Sequence, residues 1–160
     1  EEVEQGEVGE LYSRSPYLFN GYWNLPDATA ETVREGWLSV GDMARADEEG
    51  YIYIVDRKKD MIISGGVNVY PREIEEVLYE HPGLVEAAVV GVPDQYWGEA
   101  VMAVVVPHKG TTVTSDEVIS FCSSKLASFK LPKRVEFMSA LPRNAAGKVL
   151  RRELRLEEKE

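Results

Sequence analysis

The chain has 160 residues, 44% of them hydrophobic, enough for one substantial core or two small ones. Its net charge of −10 argues against nucleic acid as the default partner, and its one cysteine, Cys122, excludes an internal disulfide and suits a reducing, cytoplasmic setting. The longest apolar run, 100–106, is too short to span a membrane, and the acidic start Glu1-Glu2-Val3-Glu4 lacks the plan of a signal peptide.

In chain order, Gly6 to Tyr12 reads as a turn followed by a strand, 20–26 as a loop, and Asp27 to Val33 as a short helix. Glu48-Glu49-Gly50 is a hairpin turn feeding the β-rich run Tyr51-Ile52-Tyr53-Ile54-Val55. The five charged residues Asp56 to Asp60 make a poor strand interior and a good boundary or hinge. Ile62-Ile63 and Val67-Asn68-Val69 flank Ser64-Gly65-Gly66, a small hairpin whose glycines allow positive φ. Pro71 opens a helix with Glu73, Glu75 and Glu76 near its positive end and Ile74, Val77 and Leu78 as its apolar stripe. Strands are expected at 84–92 and 99–106. Thr114 and Glu117 form a capping box for a helix to about Leu126, with Val118, Ile119, Cys122 and Leu126 inward. A strand over Lys133 to Met138 and a last helix over Val149 to Leu156 complete the reading. The expected class is α+β. Residues 59–160 are a small domain of hairpin, three-stranded sheet and helices; 1–58 are a β-rich remnant whose strand partners are missing.

Charge is unevenly spread: Phe129 to Arg155 holds eight Lys/Arg against two Asp/Glu, net +6, so the rest carries −16. A basic tail on an acidic body is either a solvated, salt-bridged helix or a face for an anion. Within it lies Pro142-Arg143-Asn144-Ala145-Ala146-Gly147-Lys148, a loop able to carry one ammonium away from the domain body as a mobile point charge. Upstream, Ser39-Val40-Gly41-Asp42 places a carboxylate in a turn. Taken alone, it serves either a local hydrogen bond or a diol, since a carboxylate accepts two O–H bonds and donates none. Ser64-Gly65-Gly66 lacks the spacing of a phosphate-binding loop.

The run from Val55 to Glu75, followed by Pro142 to Arg152, resembles the C-terminal part of the adenylate-forming enzymes: acyl- and aryl-CoA ligases, firefly luciferase and peptide-synthetase adenylation domains. That resemblance implies a role for particular residues. Asp42 would bind the ribose hydroxyls of ATP and Arg57 the ribose and phosphate side of the nucleotide. Lys59 would be the hinge of a mobile C-terminal domain. Lys148 would be the catalytic lysine that meets the substrate carboxylate and the α-phosphate. For CoA it implies Gly65 and Gly66 against the pantetheine arm, and Trp97, Phe129 and Lys133 beside the nucleotide. No metal ligands are implied here; ATP, Mg2+ and CoA are substrates of the whole enzyme. Asn68 stands where acetate-activating relatives have arginine, which favours a fatty- or aryl-acid type.

The phosphate loop and acyl pocket of such enzymes have no counterpart in these residues. The expectation is therefore a fragment of an acid–CoA ligase, inactive alone, whose partners are the missing N-terminal domain and a carboxylic-acid substrate. A lysine acetyltransferase acting at Lys148 is a further expected partner, because that loop must be exposed in one of two conformations. Two rivals stand beside this reading: an adenylation domain that loads a carrier protein, and a non-catalytic stand-alone binding module.

Overall fold

The computed structural model describes residues 2–155, which divide after Lys59 into two compact units. In the first, β1 (Gly9–Ser13) and α1 (Pro26–Thr32) precede β2 (Val33–Arg34), β3 (Trp37–Ala46) and β4 (Ile52–Arg57). These strands are not left without partners, as their sequence suggested. They pair with one another as a four-stranded antiparallel sheet in which β3 bonds to β1, β2 and β4. The sheet buries little: Met43 and Ala44 are its buried apolar residues, while Tyr51, Ile52, Tyr53 and Ile54 stay exposed.

The charged run does enter a strand, contrary to expectation, since β4 continues through Asp56 and Arg57. A bulge explains how. Met43 faces Asp56 but Ala44 faces Ile54, so Val55 is the extra residue and the side chains beyond it are re-aimed. Asp56 turns into the buried side, where its carboxylate accepts the Arg57 N–H at 2.7 Å. Arg57 comes directly opposite Asp42. A 3-10 turn, Lys58–Asp60, follows.

The second unit contains β5 (Ile62–Ser64), β6 (Val67–Val69), α2 (Pro71–Tyr79), β7 (Leu84–Asp94), β8 (Gly98–Pro107), α3 (Ser115–Ser123), β9 (Arg134–Phe137) and α4 (Arg151–Leu154). The hairpin and the three expected strands form one five-stranded sheet, because Ser64 pairs with Gly98 and joins β5 to β8. β7 and β8 are antiparallel; β9 runs parallel to β8. α3 is capped by Thr114, whose hydroxyl accepts the Glu117 N–H while Glu117 accepts the Thr114 N–H. It ends at Ser123, short of Leu126. The last helix starts at Arg151 rather than Val149, and Leu156 lies outside the described residues.

Both faces of β7 and β8 are covered, which is why they read as near-continuous apolar runs. Ala87, Val89, Val101, Ala103 and Val105 pack with Ile74 and Leu78 of α2 and Val118 and Cys122 of α3. The alternate residues Ala88, Val90, Val92, Met102 and Val104 pack with Leu141 and Leu154. These two leucines bracket the segment that carries Lys148. Burying a leucine side chain contributes about 1.5–3 kcal/mol, so the tail is held on the sheet from both ends. Among the described residues no helix is long and apolar enough to cross a membrane.

Candidate functional site

In the first unit the two sequence-marked nucleotide residues face each other across adjacent strands. Arg57 Nε lies 3.0 Å from Asp42 Oδ1, with the Arg57 side chain 60% exposed and that of Asp42 23%. An exposed pair of this kind contributes about 0–1 kcal/mol, so a ligand that offered better partners could draw either group away at little cost. Asp42 lies within β3 and not in the turn its sequence suggested: Gly41, φ +78°, falls where the register against β1 shifts between the Tyr12–Ser39 and Glu10–Met43 pairs, so the strand bulges there. Ser39 of the same motif donates to Glu10 at 2.5 Å, and Glu10 also accepts from Lys58 Nζ at 2.7 Å. Partial burial pushes the Glu10 carboxyl up, but the bonds from Lys58 and Ser39 and the Lys58 charge outweigh it and hold it below its usual value. Lys58 is thus tied down within its own unit, whereas Lys59 lies exposed in the 3-10 turn.

In the second unit the β5–β6 turn meets the β7–β8 turn. Asp94 Oδ1 accepts the N–H groups of Tyr96 and Trp97, both at 2.9 Å, and those two bonds hold its carboxyl below the usual value. Gly65 donates its N–H to the Trp97 carbonyl at 2.8 Å. A Cβ on Gly65 would lie 2.8 Å from Trp97 Cε3, and its φ is +58°. The space freed at Gly65 is therefore filled by the tryptophan of the same chain, while at Gly66, φ +81°, the space is open. Lys133 Nζ sits 5.5 Å from the Trp97 ring centroid, within cation–π range. The structure thus brings Gly65 and Lys133 each to Trp97. Phe129 lies 43% exposed on the 3-10 turn Ser128–Lys130, its ring under the Lys130 ammonium, which is itself paired with Glu73 at 2.6 Å.

This packing makes a prediction. Gly65→Ala should cost about 1–2 kcal/mol from the left-handed backbone alone, and should also push the Trp97 ring aside. The indole N–H resonance of Trp97 is the readout; an unchanged resonance together with unchanged stability would refute the contact.

Lys148 is exposed, but its loop is not a free arm. Asn144 donates its N–H to the Lys148 carbonyl at 3.0 Å and Gly147 donates to the Asn144 carbonyl at 2.9 Å. The Asn144 Oδ1 accepts the N–H of Ala146 at 3.0 Å and of Lys148 at 2.9 Å. Leu150 donates to the Pro142 carbonyl at 2.8 Å, and Arg143 and Val149 form an antiparallel bridge. Gly147, φ +77°, makes the turn. The segment is a closed hairpin with Lys148 on its returning arm, so an exposed side chain stands on a bonded backbone. Asn144 three residues before Gly147 is an Asx-turn signal that was present in the sequence.

The residues that the sequence did not single out lie just beyond. Arg151 forms a bidentate pair with Glu75, Nη1 to Oε1 at 2.6 Å and Nη2 to Oε2 at 2.9 Å. Arg151 Nη1 also donates to the Val89 carbonyl at 2.7 Å, and Glu75 Oε1 accepts the Val89 N–H at 2.7 Å. Tyr79 donates to the Ala87 carbonyl at 3.1 Å. β7 is an edge strand, and these side chains occupy the backbone groups that its missing neighbour would have used. Glu75, expected only to favour a helix dipole, is 8% exposed and serves this edge.

The comparisons with known proteins agree with one another. The AMP-binding enzyme C-terminal domain matches residues 73–148, ending on Lys148. A long-chain-fatty-acid–CoA ligase of Bacillus subtilis (strain 168) is 53% identical over 96% of the chain. A feruloyl-CoA synthase of Amycolatopsis sp is 49% identical over 97%. The chain spans 28% and 32% of the length of these two relatives. Among solved structures, ATP-bound MatB from Rhodopseudomonas palustris matches with a TM-score of 0.88 and 44% identity, over 96% of this chain and 31% of its own. o-Succinylbenzoate CoA synthetase (MenE) of Bacillus subtilis, solved with the acyl-adenylate OSB-AMP, matches with 0.87 and 38% over 99% of this chain and 32% of its own. The chain thus matches the C-terminal part of the adenylate-forming enzymes, and its residues 73–148 match their AMP-binding enzyme C-terminal domain.

Proposed function

We propose that this chain is the C-terminal part of an ATP-dependent acid–CoA ligase that forms acyl-AMP and pyrophosphate, then the acyl-CoA thioester and AMP. The observation that carries the reading is an exposed Lys148 on a self-bonded hairpin, in a chain about half identical to fatty-acid and feruloyl-CoA ligases. Asp42 accepts the ribose hydroxyls, and Arg57 turns from its carboxylate toward the ribose and phosphates. Mg2+ arrives on the ATP phosphates. Lys148 supplies a cation where negative charge develops between the acid and the α-phosphate, the kind of preorganised stabilisation that contributes most in a dry site.

In the second half-reaction the unit that begins near Lys59 turns about that exposed residue and presents another face. Gly66, Trp97, Phe129 and Lys133, with Gly65 packed beneath Trp97, border CoA there. The indole and ammonium suit a base and a phosphate. Acetylation of Lys148 would remove its charge and stop adenylation only; mapping modified lysines after incubation with a lysine acetyltransferase tests this, and modification that spares Lys148 would refute it.

The test of the function is a paired assay on the full-length protein. Acid-dependent pyrophosphate release followed by CoA-dependent loss of acyl-AMP is expected, with no pyrophosphate from the 160-residue chain alone. Acyl transfer to a carrier protein but not to CoA would favour an adenylation domain. Pyrophosphate released by the short chain alone would overturn the assignment of the missing site to the N-terminal region.

A further inference from the structure

The hairpin's internal bonds set its shape but not its angle to the sheet. Among the described residues of the 142–148 turn, Arg143 is the side chain that reaches from it to the sheet. Arg143 Nη1 donates to the Gly147 carbonyl at 2.7 Å, one residue before Lys148. Its Nη2 donates to Glu86 Oε1 at 2.8 Å, and Glu86 lies on β7, on the face that packs Leu141 and Leu154. One planar fork therefore joins the turn of the hairpin to the sheet. A lysine could not copy this, because it offers a single point of charge where guanidinium offers donors at fixed angles.

We propose that Arg143 is a positioning residue for Lys148. It fixes the tilt of the hairpin on the sheet, so that the ammonium is delivered by movement of the whole domain and not by a search of the loop. This deepens the reading of Lys148 given above and rests on it. The physical warrant is that reacting groups must be placed to within about an ångström, and that a small misplacement costs about 10²-fold. The Arg143–Glu86 pair is itself partly exposed, at 39% and 30% of the side chains, so it contributes little to folding. Positioning and stability therefore separate at this residue, which makes the proposal testable.

The experiment compares Arg143→Ala, Arg143→Lys, Glu86→Gln and Lys148→Ala in the full-length ligase. Adenylation is followed by pyrophosphate release, thioester formation by supplying acyl-AMP and CoA, and stability by thermal unfolding. Arg143→Ala is expected to lower kcat for adenylation about ten- to a hundredfold, with KM for acid and ATP, the thioester half-reaction and Tm nearly unchanged. Arg143→Lys should recover part of the loss, and Glu86→Gln should lose less than Arg143→Ala. Wild-type adenylation by Arg143→Ala, where Lys148→Ala is slow, overturns the proposal and leaves the Lys148 reading standing. Parallel loss of both half-reactions and of Tm also overturns it, by showing a structural role alone. If Lys148→Ala does not slow adenylation, the reading of Lys148 fails and this proposal falls with it.

Discussion

On the proposed function, replacing Lys148 by alanine in the full-length protein is expected to slow adenylation about 10²–10³-fold, the usual cost of about 3–4 kcal/mol for losing one preorganised group aimed at developing charge. Thioester formation from supplied acyl-AMP should stay close to wild type, because on the proposed function the domain has by then turned and Lys148 faces away from the reacting atoms. The hairpin strengthens the expectation. Its backbone is closed on itself by the Asn144, Gly147 and Leu150 bonds, so truncating an exposed side chain leaves the loop in place and removes only the cation. Equal losses in the two half-reactions, measured on the same preparation, would sink the idea that the two steps present different faces of this domain. A fall in Tm of more than a few degrees would show instead that Lys148 supports the fold.

The largest stability loss is expected at Glu75→Ala. Its carboxylate takes both Arg151 nitrogens and the Val89 N–H. Removing it takes two of the guanidinium's bonds, leaving it the Val89 carbonyl and Asp60 at 3.9 Å, and takes the carboxylate that accepts the edge-strand Val89 N–H. Breaking a buried ion pair from one side typically costs about 3–5 kcal/mol. The lower end, about 3 kcal/mol, is expected here because the Arg151 side chain keeps 23% exposure and its bond to the Val89 carbonyl. Chemical denaturation of the chain, with the unfolding slope m checked for constancy, measures it. The double variant Glu75→Met with Arg151→Leu should regain part of the loss, since replacing both partners by apolar groups removes the partly buried charge that has lost its nearest counterion. A single-variant cost below about 1 kcal/mol would place the pair with ordinary surface ion pairs and overturn its role at the edge of β7.

Much of the fold was legible in the residues themselves because it depends on local chemistry. Pro71 opens α2, the Thr114–Glu117 box opens α3, and Gly65-Gly66 turns the hairpin, each through bonds or dihedrals within a few positions. The apolar runs around Val89 and Val104 announced strands, and the spaced pattern from Val55 to Glu75 with the segment at Lys148 announced the family. What needed tertiary structure were the partnerships between distant positions. Whether Asp56 belongs to a hinge or a strand turns on the bulge at Val55, which forms only against Met43 and Ala44 of β3. That Gly65 is small for the Trp97 ring depends on two turns meeting through the Ser64–Gly98 pair. Glu75 looked like one more acid near a helix start. Its burial, and the arginines that tie the Lys148 segment down, follow from Leu141 and Leu154 docking on the sheet. Such docking sums apolar contacts along both faces of β7 and β8, and no window of the chain a few residues long contains it.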